Sequence, residues 1–163
     1  MSFFRRGDKT ASAFGYARIL VPIIGDEAVD DPALKVAALL LAGSDESQVA
    51  LLHVIEVAFD RNLDAEDDEA IAKADEILTR AELFLEERGV TVRRSTVQAR
   101  VAGPAIVDEA NEGEADLILM GLRYKKRFGG QWDAGRTVPY VMRNSTAPVW
   151  CLRAETEELA HTP

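Results

Sequence analysis

The sequence predicts an α/β fold, an open five-stranded parallel sheet with helices on both faces, and three observations carry that prediction. Nearly unbroken apolar runs of strand length alternate with stretches of helical periodicity. Short polar connections join them, as βαβ crossovers require. The 163 residues suffice for one domain with a sizeable core and are too few for two.

Strand one runs from Arg18 to Ile24, an apolar run closed by Gly25, the pattern of a strand buried on both faces. After the polar stretch Asp26 to Asp31, Pro32 suits a first helical turn with Asp31 as its cap. Leu34, Ala37, Ala38 and Leu41 then line one face of helix one, which ends near Ala42 and Gly43. Val49 to Val57, containing His53, reads as a second central strand. The acids Asp60, Asp64, Glu66, Asp67, Asp68 and Glu69 form a solvated run whose charge complements the N-terminus of helix two. Their spacing does not match an EF-hand loop, and the glycine of that loop is missing. Ile71, Ala74, Leu78, Ala81 and Leu85 keep helical spacing up to Gly89, a natural stop.

Thr91 to Val101 alternates β-branched residues with Arg93, Ser95 and Gln98, which predicts an edge strand with one wetter face. Gly103-Pro104 opens a short helix carrying Ile106, Val107 and Ala110 inward, and Asp116 introduces strand four, Leu117 to Met120, ending at Gly121. Leu122 to Ala134 shows no periodicity. Val138, Val141 and Met142 mark a last helix, and Pro148 to Leu152 supplies strand five. The expected organisation is a flexible leader over 1–17, one domain over 18–153 and a polar tail over 154–163.

Composition narrows the function. Hydrophobic residues make up 47% and charged residues 29%, the profile of a folded globular chain. The longest apolar runs, Ile19 to Ile24 and Val36 to Ala42, fall far short of the ~20 residues a membrane helix needs. Arg5 and Arg6 are not followed by an apolar segment and cleavage site, so a cytoplasmic location is expected. Cys151 has no internal disulfide partner, and with His53 and His161 it makes too small a set for a zinc site. A formal charge of −9 without a basic stripe argues against nucleic acid as a partner. Neither G-x-S-x-G, a Walker pattern nor G-x-G-x-x-G occurs, so binding rather than catalysis is expected. His53 has no nucleophile or carboxylate at motif spacing and reads as a strand residue with one nitrogen satisfied by backbone.

Arg18-Ile-Leu-Val-Pro22, Leu51-Leu-His53-Val54 and Ala115-Asp-Leu-Ile-Leu-Met-Gly121 together resemble the universal stress protein family. The likeness continues through Gly135-Arg-Thr-Val-Pro-Tyr-Val-Met-Arg143 to Ala147-Pro148-Val149. It implies strand order 3-2-1-4-5 and a crevice between the carboxyl ends of strands one and four. It also implies a homodimer formed by strand five, Pro148 to Leu152, and a ligand such as ATP, ADP or AMP in the members that hold nucleotide. Carried onto this chain, the site comprises Pro22, Ile23 and Ile24, then Val54, then Gly121, Arg123, Tyr124 and Lys125, and finally Gly135, Arg136, Thr137 and Val138.

Nucleotide-holding members resemble one another in an acid two residues after the strand-one proline and in a motif G-x2-G-x9-G-[S/T]. Here the acid's position is Ile24, the second glycine is Tyr124, the spacer to Gly135 is one residue longer, and Arg136 stands at the Ser/Thr position. Ile24 removes charged recognition, and Tyr124 sets a ring where backbone must approach closely. The expected function is therefore a dimeric regulatory binding protein with a degenerate nucleotide site.

An adenine-nucleotide binder is the first alternative. Arg123, Lys125, Lys126, Arg127, Arg136 and Arg143 reverse the local charge of an acidic chain and could attract a small anionic ligand. Gly129-Gly130 frees the loop to fold over it, Thr137 offers a hydroxyl, and Pro139 in the first helical turn leaves neighbouring amides able to donate. Trp132 suggests contact with a partner or with its own domain. The second alternative, which the resemblance implies because similar domains occur attached to or beside carriers, is an accessory module of a membrane transporter, and Phe3-Phe4-Arg5-Arg6 would suit a juxtamembrane position.

Overall fold

The computed structural model describes residues 15–63, 67–123, 125–126 and 132–153, with Lys125, Lys126, Trp132 and Asp133 described by backbone only. The expectations for the leader before Gly15, for Asp64 and Glu66, for Tyr124, Arg127 and Gly129-Gly130, and for the tail from Ala154 concern residues outside this description.

Eleven elements follow in chain order: β1 (Arg18–Pro22), α1 (Glu27–Leu41), β2 (Gln48–Glu56), α2 (Asp68–Glu86), β3 (Thr91–Ala99), α3 (Ala102–Glu112), β4 (Leu117–Gly121), β5 (Lys125–Lys126), β6 (Trp132–Asp133), α4 (Thr137–Asn144) and β7 (Val149–Leu152). The main sheet has the order β3-β2-β1-β4-β7, and every pair in it is parallel. It is the expected 3-2-1-4-5 arrangement, the fifth strand being β7 because an antiparallel ribbon of β5 and β6 intervenes. With two residues per strand, that ribbon is too short to show a period of two.

Alternation along the inner strands sorts the core into two layers. Ile19, Val21, Val49, Leu51, Leu117 and Leu119 face α1 and α2, meeting Ala33, Leu34, Leu78 and Leu85. Leu20, Ala50, Leu52, Ile118 and Met120 face the other way onto Ile106, Val107, Val138 and Val141 of α3 and α4. A sheet covered on both sides needs apolar residues at every position, which is why the inner strands read as unbroken runs. Each fully buried Leu or Ile contributes about 1.5–3 kcal/mol. β3 has only exposed and half-buried residues, as an edge strand does.

Strands one and three end two residues earlier than the sequence reading has them, at Pro22 and Ala99, and two further differences have a clear physical cause. Tyr16 and Ala17 belong to the domain: Ala17 N–H donates to the Asp116 carboxylate at 3.0 Å and its carbonyl accepts from Gln48 at 2.9 Å. Tyr16 meets Trp150 edge to face at 5.7 Å. The second correction concerns Pro32, which lies inside α1 rather than at its start. Asp26, not Asp31, is the cap, accepting from Ala28 N–H at 3.1 Å. Starting the helix early leaves the Ala28 carbonyl without the donor that Pro32 lacks. Ala28 is exposed, so water can take that place. Asp31 instead accepts from Arg80 of α2 at 3.1 Å.

Gly121 fixes how closely β4 approaches α1. A Cβ there would lie 2.0 Å from the Val29 carbonyl oxygen and 2.7 Å from its carbon, both backbone atoms that cannot swing aside. Gly121→Ala should therefore lower stability by about 3 kcal/mol through overpacking. Urea unfolding reads this as a lower midpoint at unchanged slope; a wild-type midpoint would show that the two elements part at little cost.

Candidate functional site

The parallel ladder between β1 and β4 covers only Ile19↔Leu117 and Leu20↔Ile118. Beyond it, β1 stays with β2 as far as Pro22↔Leu52, and β4 stays with β7 as far as Gly121↔Leu152. The two carboxyl ends part, and a cleft of about 350 Å³ opens between them. It lies where the strand order reverses, the switch point at which open α/β sheets hold ligands.

The structure places Pro22, Ile23, Ile24, Val54, Gly121, Arg123, Gly135, Arg136, Thr137 and Val138 on the wall of this cleft. Tyr124 and the Lys125 side chain lie outside the described residues. Sequence reasoning missed Val29, Asp30, Leu52, His53, Glu56, Ala102, Ile106, Met120 and Ala134, which also line it. Most of these are core residues whose ends reach the cleft floor. Asp30 and Glu56 are different, because their charges organise the walls.

Asp30 is 1% exposed and its carboxylate takes three backbone donors of the β1–α1 loop. Ile24 N–H reaches Oδ1 at 3.1 Å, while Gly25 and Asp26 N–H reach Oδ2 at 2.8 and 3.2 Å. Three amides that would otherwise lie bare at the end of a buried strand are satisfied at once. Gly25 makes the turn at φ +86°, where a Cβ would also strike Ile77. A sequence signal for Asp30 existed: Asp30, Leu34, Ala37 and Leu41 share the apolar stripe of α1, and an acid on such a stripe needs donors.

Three helix N-termini converge on the cleft, and carboxylates already serve two of them. Asp26 caps α1. Glu56 of β2 reaches across to accept from Ala102 N–H of α3 at 2.8 Å, where the cap residue Val101 offers no side chain bond. At α4 the cap position is Arg136, which makes no side-chain cap bond, and Gly135 turns into it at φ +73°. Arg123 pairs with Asp26. His53 Nδ1 lies 2.8 Å from the Ile23 carbonyl. That oxygen can only accept, so Nδ1 carries the proton and pins β2 to the strand-one exit. Ile24 stands 51% exposed at the mouth. Among the described residues no group of three or more His, Cys, Asp or Glu could hold a metal ion, and no helix is long and apolar enough to cross a membrane.

Burial pushes the Asp30 carboxyl above its ordinary 3.8, while the Ile24 and Gly25 amides, Arg80 and the Asp26 amide pull it partly back. Its contribution to stability is therefore full below 3.8 and is lost as pH climbs from there through the raised folded value. Asp30→Asn keeps one acceptor oxygen and turns an NH2 toward a donor, so it should destabilise by about 1–3 kcal/mol. The gap to wild type should be widest below the ordinary carboxylate range and narrow as pH rises. Denaturant titrations across pH check both, and a gap that widens with pH would reverse the assigned sign.

The model of the universal stress protein family matches residues 15–153. No curated protein matches the chain. Among solved structures, a universal stress protein from Archaeoglobus fulgidus in complex with dAMP is 24% identical, with a TM-score of 0.67 over 85% of this chain and 98% of its own. A family member from Arabidopsis thaliana with AMP bound is 14% identical, with a TM-score of 0.66 over 87% of this chain and 94% of its own. One from Burkholderia pseudomallei is 22% identical, with a TM-score of 0.63 over 85% and 97%. These likenesses show the fold, and the family model spans most of the sequence. The chain belongs to the universal stress protein family.

Proposed function

We propose that this chain is a homodimeric regulatory binding protein of the stress-response type, whose cleft keeps the frame of a nucleotide site but has lost ordinary nucleotide affinity. One observation carries the reading. Ile24 occupies the position where nucleotide-holding members have an acid, and Asp30 takes the amide of Ile24 and of the next two residues. The strand-one wall thus presents an apolar side chain and a backbone whose donors are satisfied. A polar ligand group facing Ile24 would go unpaired, a loss of about 1–3 kcal/mol per group.

Relatives of the same fold hold dAMP and AMP, which makes adenine nucleotides the ligands to test. Isothermal titration with ATP, ADP and AMP should give dissociation constants no tighter than about 1 mM, against which stabilisation by mass action is slight. Micromolar binding of any of them would overturn the loss of affinity and favour the nucleotide-binding alternative, with the phosphates at the α4 N-terminus beside Arg136 and Thr137.

Dimerisation rests on the open side of β7. The carbonyls of Pro148 and Leu152 accept from Ile118 N–H of β4 and from Leu122 N–H just beyond it, at 2.9 and 2.7 Å, so by alternation Val149 and Cys151 turn their N–H and C=O outward. Trp150, packed on Tyr16 and 39% exposed, stands beside that edge. Light scattering should give twice the 17.9 kDa chain mass. The Val149 and Cys151 amides should exchange more slowly as concentration rises. A monomer mass with concentration-independent exchange would remove strand five as the contact.

A further inference from the structure

Asp26 divides its carboxylate between two tasks. Oδ1 accepts from Ala28 N–H at 3.1 Å and caps α1, while Oδ2 takes the guanidinium of Arg123. Arg123 follows β4 and Asp26 follows β1, so the pair ties together the two strand ends between which the cleft opens. Its effect on charge is specific. Arg123 lines the cleft while Asp26 stands just outside the lining, so an anion bound by Arg123 competes with Asp26 for the guanidinium.

We propose that Asp26 is the specificity-determining residue of this cleft, excluding phosphate-bearing ligands by holding Arg123 and by its own charge. This rests on the reading that the cleft binds ordinary nucleotides weakly, and it names the group responsible. Ile24 weakens recognition of the neutral part of a ligand; Asp26 acts on the charged part alone. The two side chains of the pair are 36% and 47% exposed, so water screens them and the effect is moderate.

Asparagine at this position separates the two tasks. Its carbonyl oxygen can keep the bond to Ala28 N–H, and Asn is as good an N-cap as Asp. Its NH2 cannot accept from Arg123, so the guanidinium is released and the negative charge removed. Asp26→Ser, another strong cap without charge, is the second variant should Asp26→Asn fold poorly by circular dichroism.

The experiment titrates the full chain, Asp26→Asn and the double variant Asp26→Asn/Arg123→Gln with AMP and with adenosine, at about 50 and 500 mM salt. Asp26→Asn should bind AMP about tenfold more tightly than wild type at low salt. The gain should shrink at high salt, vanish in the double variant and be absent for adenosine, which has no charge to respond. No gain for AMP, or an equal gain for adenosine, overturns the inference. Micromolar AMP binding by wild type overturns the weak-binding reading instead, and the ratio between wild type and Asp26→Asn still decides the role of Asp26.

Discussion

Everything at the upper end of this sheet depends on one buried carboxylate beneath a turn. Asp30 gathers the amides of Ile24, Gly25 and Asp26, which lets β1 leave the core without bare donors. That turn sets the direction in which α1 departs. The direction in turn brings Val29 against Gly121, where only a residue without Cβ leaves room. Pro32 is accommodated within the same helix because the loop, and not the proline, determines where the helix begins. The mouth of the cleft is thus a product of local electrostatics, transmitted by packing into the separation of two strands.

The distribution of charge around the cleft follows from its helix ends. Helix N-termini attract negative charge. Here Asp26 and Glu56 supply it internally at α1 and α3, and Arg123 is drawn onto the first of them. The end of α4 keeps a basic residue, Arg136, at its cap, so the cleft has an acidic wall and a basic one.

Much of the fold was legible because burial on both faces leaves a simple trace: Ile19 to Val21, Val49 to Leu52 and Leu117 to Met120 are apolar because both sides of the sheet are covered. The polar register of β3 equally announced an edge. Helix one starts earlier than Pro32 and Asp31 suggest, because that strong local signal competes with Asp26 as a cap and with the bonds that Asp30 makes back to the preceding loop. The same limit applies to the site. The family motif brought Ile24, Gly121 and Arg136 together by position, but Glu56 reaches Ala102, 46 positions further along the chain, a relation that no spacing rule encodes. The paired state of Arg123 was unreadable for the same reason, and a run of cations looked freer on paper than it is in space.

The two borders of the sheet are not equivalent. On β3, Arg94 reaches Asp75 at 3.1 Å and Glu82 at 3.5 Å, and Arg93 is exposed beside it, a charged fringe that discourages another strand from adding there. The β7 border carries Val149, Trp150, Cys151 and Leu152 and has no such guard within the strand. A strand seeking a backbone partner on this sheet would meet fixed charge along one margin and an apolar, unguarded row along the other.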